Sequence, residues 1–504
     1  MKPLQTKFSA DVSEHSALSE YPRPCLVRTS YLNLNGRWDY AFTDSPDIPQ
    51  QFEGTILVPF SPECALSGVN KRLEPKGFLW YRRTFSITRP QPGKRILLHF
   101  GAVDQIADVY INGAHAASHT GGDLPFSLEM TGFLQSGDNE LIVRVQDLTD
   151  ISCHARGKQA LSPGGMFYTA QSGIWQTVWA EIVPDNYIER IFFTPDYDNS
   201  RMELRVLTKE PAAVDCMIAG KGVDSFCISG MSNETIAIDL PDFHPWSPED
   251  PFCYQISIRT DTDRVSSYFA MRKCDVQTGP DGKRRFFLNN KPYFQAGVLD
   301  QGYWPESLYT APTDEALLSD ILRMKKLGFN MLRKHAKIEP ERFYYHCDQL
   351  GILVWQDMVN GGSPYKSWFV TYLATLMNWR HLPFSDGEKH FSLLSRSQPE
   401  GRAEFLREME ETVTFLYNHP SIVTWVPFNE GWGQFHAADA AARLKQLDPT
   451  RLVDHASGWF DQKAGDIVSL HYYFFTLNFK AETARALALT EFGGYSFSMP
   501  EHSA

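Results

Sequence analysis

His419-Pro420-Ser421-Ile422-Val423-Thr424-Trp425-Val426-Pro427-Phe428-Asn429-Glu430-Gly431-Trp432 is the stretch on which the reading of this chain turns. His419-Pro420 is a turn signal. The apolar, β-branched run after it predicts a buried strand. That strand runs out in Asn429-Glu430, then Gly431. A carboxylate at the end of a buried strand is costly unless a partner or a reaction uses it. The pattern recurs in Leu487-Ala488-Leu489-Thr490-Glu491-Phe492-Gly493-Gly494. One such glutamate alone reads as an ion pair or a cap. Two, on two buried strands of one repeating region, read as paired carboxylates, the arrangement that glycosidic bond cleavage needs.

Working outward, strands and helices alternate through residues 276–504. Strands are expected at 294–299, 329–333, 352–355, 451–454, 467–470 and 487–490, in addition to the one before Glu430. Thr313 can cap a helix whose first turn carries Asp314 and Glu315. Leu317, Leu318, Ile321 and Leu322 form its apolar stripe, and Gly328 ends it. Pro340 suits the first turn of a helix running to Gly351, and another helix is expected over 402–417. Repeated βα units imply a parallel sheet, which most often closes as a (β/α)8 TIM barrel. An open doubly wound sheet is the runner-up, but no glycine-rich phosphate fingerprint follows the first strand. In barrels the chemistry sits at the C-terminal strand ends, where Arg333, Asp357, Glu430, His471 and Glu491 fall. No eighth strand is found before the sequence stops at Pro500-Glu501-His502-Ser503-Ala504, so a truncated barrel without its last βα unit is expected. Residues 361–401 read as a long irregular loop, either a lid or a surface excursion.

Upstream, the chain reads as β only. Residues 1–183 carry strands such as Trp80 to Phe85, a hairpin turn at Asn112-Gly113, and alternating Leu141, Val143 and Val145. This fits a jelly-roll sandwich with a sugar-binding or a purely architectural role. Residues 184–275 have the size and strand spacing of an immunoglobulin-like β-sandwich, read as a spacer.

The chain has 504 residues, 43% hydrophobic and 21% charged, which is ordinary for a soluble multidomain protein. A net charge of −12 argues against nucleic acid and anionic membrane as partners. Neither a signal peptide nor a membrane span is seen, so a cytoplasmic location is expected. The 8 cysteines form no CxxC or zinc-like cluster, and reduced thiols are expected. No metal and no cofactor is expected; a homo-oligomer is a possible state.

Glu430 is read as the general acid/base, with the surrounding Val, Trp and Phe desolvating it and raising its pKa. Glu491 is read as the nucleophile, kept ionised by Arg333 or a nearby tyrosine. Asn429 can bind a sugar hydroxyl or satisfy loop backbone. Asp357 can bind a ring hydroxyl or cap a turn. Arg333, His335 and His471 are site candidates whose alternatives are an ion pair and core histidines. Tyr472 and Tyr473 can donate to a carboxylate or simply pack. Trp304, Trp368, Trp379, Trp432 and Trp459 are candidates for stacking on sugar rings, Trp459 foremost.

On these residues the chain resembles glycoside hydrolase family 2, the family of β-galactosidases, β-glucuronidases and β-mannosidases. The resemblance includes Leu34-Asn35-Gly36-Arg37-Trp38, Gly173-Ile174-Trp175-Gln176-Thr177-Val178-Trp179 and Phe329-Asn330-Met331-Leu332-Arg333. It also includes Asn429-Glu430 and Thr490-Glu491-Phe492-Gly493. It implies a jelly roll, an immunoglobulin-like domain and a catalytic barrel. It further implies a retaining exo-β-glycosidase, β-galactosidase-like, with Glu430 as acid/base, Glu491 as nucleophile and Asn429 at the sugar 2-hydroxyl. Arg333-Lys334-His335 and Trp355-Gln356-Asp357-Met358 depart from the galactosidase and glucuronidase patterns, leaving the sugar open. A non-catalytic carbohydrate-binding protein is the rival reading.

Overall fold

The computed structural model describes residues 4–380, 382–473 and 484–493. The expected chain end at Pro500 to Ala504, and with it the question of an eighth βα unit, lies outside the described residues, as does the side chain of Trp379.

Two antiparallel sheets open the chain. One orders its strands Leu32–Asn33, Val178–Pro184, Lys94–Phe100, Phe126–Glu129. The other orders them Gly54–Val58, Gly36–Thr43, Phe78–Ser86, Asp138–Gln146, Ile106–Ile111, Ala114–Thr120. Period-two alternation turns Leu141, Val143 and Val145 into the core between the sheets, against Val109 and Ile111. Asn112 and Gly113 take φ of 49° and 79°, the left-handed pair that a two-residue hairpin turn requires. A second sandwich follows. It sets Ile188–Asp196, Arg201–Thr208 and Thr235–Asp239 against a sheet of Val223–Met231, Ala213–Gly220, Tyr254–Arg259 and Arg264–Phe269.

The strands from residue 297 onward pair in parallel. We label them β1 (Gly297–Asp300), β2 (Met331–Lys334), β3 (Leu353–Asp357), β4 (Ile422–Val426), β5 (Leu452–Val453), β6 (Ile467–Tyr472) and β7 (Ala486–Phe492). β1 to β5 pair in chain order, and β6 pairs with β7. The helices between them are α1 (Asp314–Lys326), α2 (Glu341–Leu350), α3 (Pro399–Leu416) and α4 (Ala437–Leu447). Thr313 caps α1 by accepting the Ala316 N–H at 3.2 Å, and Gly351 ends α2 at φ 70°. Ile321, Phe343, Cys347, Met409, Val413 and Leu416 of these helices pack on the outer faces of the strands. Below the strands a hairpin, Cys274–Thr278 with Arg284–Leu288, closes the floor: Cys274 and Leu288 join Leu353, Trp355, Val423, Leu452 and Ile467 in one cluster.

The 361–401 stretch is not the irregular loop that its sequence suggests. A wide helical turn at Trp368–Leu373 runs directly into a helix at Ala374–Trp379. Phe369, Val370 and Ala374 bury themselves against Trp432, Trp459 and Phe460. No capping side chain marks the start of this helix. None of the described helices is long and apolar enough to cross a membrane.

Candidate active site

The site is built at the C-terminal ends of β2, β3, β4, β6 and β7. Past β4 the chain stays paired: the Ser457 N–H donates to Phe428 O at 2.8 Å and the Glu430 N–H to Ser457 O at 2.9 Å. Glu430 then adopts φ 50°, a left-handed conformation rare for a residue with a Cβ, and Gly431 follows at φ 73°. Such backbone persists only where its surroundings impose it, and it concentrates at functional sites. On β6, alternation buries Ser469 and His471 and leaves Leu470 and Tyr472 half-buried. The β6–β7 ladder shifts register between Leu470 and His471, so that His471 stands opposite Glu491. Gly458 makes room for this histidine: at φ 84°, a Cβ there would lie 2.5 Å from the imidazole ring.

The two glutamates meet. Tyr473 Oη lies 2.7 Å from Glu430 Oε1 and 2.6 Å from Glu491 Oε2. His471 Nδ1 is 2.8 Å from Glu430 Oε1, and its Nε2 is 3.7 Å from Glu491 Oε1. One ligand atom each from Glu430, His471 and Glu491 lies within 4.8 Å of the other two, close enough to hold a metal ion. A second set with that property is Cys25, Glu341 and His419, so the fold gathers groups that no sequence spacing announced.

Arg333 organises the remainder from a fully buried position. Its Nη1 donates to Glu491 Oε1 at 3.0 Å and its Nη2 to Asn429 Oδ1 at 2.8 Å. Its Nε and Nη2 form a fork on Asp357, both at 3.0 Å. His335 Nδ1 also meets Asp357, at 2.5 Å. Asp357 is therefore held by two protein partners, and its carboxyl lies below its ordinary value: burial pushes it up, and Arg333 and His335 outweigh this. Burial is the main influence lowering His335.

The expected rise of the Glu430 pKa is corrected here. Burial is the largest single influence and does push it up. Hydrogen bonds from His471 and Tyr473, with the charges of His471 and Lys158, overcome burial and bring it to about 2. Glu491 is lowered too; burial raises it, while His471 and Arg333 pull it down. The Tyr473 hydroxyl is pushed up, by burial first and then by both carboxylates. It has one proton to donate and two carboxylates in reach. That proton goes to one carboxylate or is shared between the two.

A cavity of about 420 Å³, partly open to solvent, adjoins this network. His335, Asp357, Asn429 and Trp432 line it from the barrel, and Lys158 and Phe167 from the first sandwich. Trp459, singled out in the sequence as the stacking residue, is instead packed with Phe369, Leu394 and Phe460; Trp432 has the cavity position. Trp304 is buried in the outer-wall cluster, and Trp368 is exposed. Tyr472 lies on the opposite face of β6 from the carboxylate-bonded His471. Lys158 was not legible as a site residue, because only the fold brings residues 153–170 to the barrel. Asp454, buried and without a hydrogen bond to either oxygen from the described residues, was also passed over, although it ends the strand expected at 451–454.

Comparison with known proteins agrees with this architecture. The chain is 23% identical over 506 aligned residues to a β-galactosidase of Thermoanaerobacter pseudethanolicus, covering 92% of this chain and 61% of that protein. The chain thus spans less than two thirds of this relative's length, and 40% and 44% of two further curated relatives. Among solved structures, an uncultured Clostridium sp. β-glucuronidase matches with a TM-score of 0.70 at 20% identity, covering 90% of this chain and 78% of that one. A family 2 β-galacturonidase from Eisenbergiella tayi matches with a TM-score of 0.67 at 19% identity, covering 97% and 85%. The family 2 glycosyl hydrolase sugar-binding domain matches residues 69–179, and the TIM barrel domain of the same family matches 282–490. The chain, with both of these family 2 domains and the matching fold around them, belongs to glycosyl hydrolase family 2.

Proposed function

We propose that the barrel carries a retaining exo-β-glycosidase site for terminal β-linked sugars of the galactoside or glucuronide type, with Glu491 as nucleophile and Glu430 as acid/base. The observation that carries this reading is the approach of the two carboxyls, which have oxygens within 4.8 Å and share the Tyr473 hydroxyl. Retaining hydrolysis uses carboxyl groups about 5–5.5 Å apart; inversion needs about 6.5–9.5 Å to admit a water.

In the first step a Glu491 oxygen bonds to the anomeric carbon as the glycosidic C–O bond breaks, and Glu430 gives its proton to the departing oxygen. In the second step Glu430 takes a proton from water, whose oxygen displaces Glu491 and releases the sugar with its configuration retained. Arg333 supports the asymmetry of roles, since its direct bond goes to Glu491 and none goes to Glu430. A substrate that displaces the His471 and Tyr473 contacts leaves burial to raise Glu430, which lets it take up the proton it must carry. The names of the relatives, β-galactosidase, β-glucuronidase and β-galacturonidase, support the substrate class.

A panel of aryl β-glycosides tests the activity, and azide tests the roles. Glu491→Ala should abolish turnover, and azide filling its place should give a glycosyl azide of inverted configuration. Glu430→Ala with azide should give the retained azide. Unaltered turnover in Glu491→Ala overturns the assignment.

A further inference from the structure

Lys158 is the one cavity-lining residue whose charge the described hydrogen-bond network leaves unanswered. Arg333 is fully engaged by Asp357, Glu491 and Asn429. The Lys158 ammonium has one hydrogen-bond contact among the described residues, to Met166 Sδ at 3.4 Å. A thioether is a weak acceptor and leaves most of an ammonium's donor capacity unused. Burial lowers this lysine below its ordinary value, with Glu430 and Glu491 acting against that trend.

The position is built rather than incidental. The Arg156 and Gly157 N–H groups both donate to Asn360 O, at 3.0 and 2.9 Å, fixing the segment to the barrel. Gly157 adopts φ 57°, and a Cβ there would lie 2.4 Å from Ala336 O. On the other side of Lys158, the Tyr168 N–H donates to Lys158 O at 2.9 Å, and Gln159 Nε2 donates to Asp104 at 2.8 Å. The backbone on either side of the lysine is thus pinned, and its flexible stem is left facing the cavity wall formed with Phe167 and Trp432.

We propose that Lys158 is a specificity-determining residue that receives the carboxylate of a β-linked hexuronic acid, so that the site prefers hexuronosides to neutral hexosides. This rests on the glycosidase reading above. A carboxylate brought to a partly buried ammonium forms a charge-assisted hydrogen bond that a neutral hydroxymethyl group cannot match. It also answers the cavity-lining cation that the described residues leave without a carboxylate hydrogen bond.

The test compares kcat/KM for aryl β-D-glucuronide and β-D-galacturonide with that for aryl β-D-glucoside and β-D-galactoside, in the full chain and in its Lys158→Gln and Lys158→Arg variants. The wild type should prefer at least one uronoside. Lys158→Gln should lower the uronoside-to-hexoside ratio by roughly 10- to 100-fold, mostly through KM, and Lys158→Arg should restore part of it. An unchanged ratio in Lys158→Gln, or a wild-type preference for neutral glycosides, overturns the proposal. A lysine that only tuned Glu430 would slow all four substrates alike and leave the ratio fixed. Tryptophan-fluorescence titration with free D-glucuronate and D-galacturonate against D-glucose and D-galactose needs no turnover. A uronate preference that Lys158→Gln removes supports the proposal even if no glycoside is cleaved, a result that would strike the catalytic reading alone. Equal binding of acid and neutral sugars strikes the Lys158 proposal alone.

Discussion

At the mouth of the barrel, His471 stands between Glu430 and Glu491; beneath it, where the barrel meets the second sandwich, His419 stands among Cys25, Asp348 and Glu341. The residue types nearly coincide, and each place brings three ligand-capable atoms within 4.8 Å of one another. Their partners differ. Below, Asp348 takes the Ser421 N–H at 2.9 Å, the Tyr268 hydroxyl at 2.7 Å and His419 Nδ1 at 2.6 Å, while Glu341 takes the Cys25 N–H at 2.8 Å. Backbone groups answer the lower carboxylates, and the histidine has no exposure. At the mouth, among the described residues, the carboxylates are answered by side chains from β2, β6 and the turn after β6, next to a cavity. A cluster closed by backbone fixes architecture. A cluster closed by side chains beside open space can trade partners for a substrate.

The contrast can be broken in several ways, the largest expected effect first. Glu430→Gln should lower kcat on aryl glycosides with poor leaving groups by about 10²–10⁴-fold, with some loss of Tm from the carboxylate contacts to His471 and Tyr473 that it gives up. A large fall in Tm with kcat intact would place the mouth cluster with the architectural one. Asp348→Ala should do the reverse. Breaking a buried, hydrogen-bonded ion pair costs about 3–5 kcal/mol, read by denaturant unfolding, while turnover per folded molecule holds.

His471→Gln addresses the correction at Glu430. It removes the first of the influences that pull that carboxyl from 4.5 to about 2. The alkaline limb of the kcat/KM profile, where Glu430 loses the proton it must donate, should move toward higher pH. Stability should respond with a definite sign. A carboxyl lowered by folding stabilises the protein fully above its unfolded value of 4.5, and that contribution is lost as pH falls through about 2. In His471→Gln this acid-labile portion should shrink, as read by urea unfolding between those limits. The smallest effect is expected at Thr313→Ala, which removes the cap of α1 far from both clusters. It should cost about 1 kcal/mol and leave every kinetic constant in place.

How much of this could be read from the chain follows from what each signal encodes. β4 and β7 were legible because uninterrupted apolar runs ending in Glu430 and Glu491 carry burial and position together. α1 was legible from Thr313, Asp314 and its spaced leucines. The helical turn at 368–379 was not, because its burial is set by Trp432 and Phe460, which reach it only in three dimensions. The direction of the Glu430 shift failed for a related reason. Neighbours along β4 report desolvation, whereas His471 and Tyr473 arrive from another strand with the opposite effect. Trp459 and Trp432 share composition and context in sequence, and only the fold assigns one to the interior and the other to the cavity.

The paired N–H donors at Arg156 and Gly157, both resting on one barrel carbonyl, have a consequence for how such a chain diversifies. They make part of the cavity wall a graft from a neighbouring module. On the proposed glycosidase reading, exchange of that short graft would retune which sugar is admitted while Glu430 and Glu491 on the strands stay untouched. A barrel expressed without its sandwich would, by the same token, lose one wall of its chamber rather than merely a decoration.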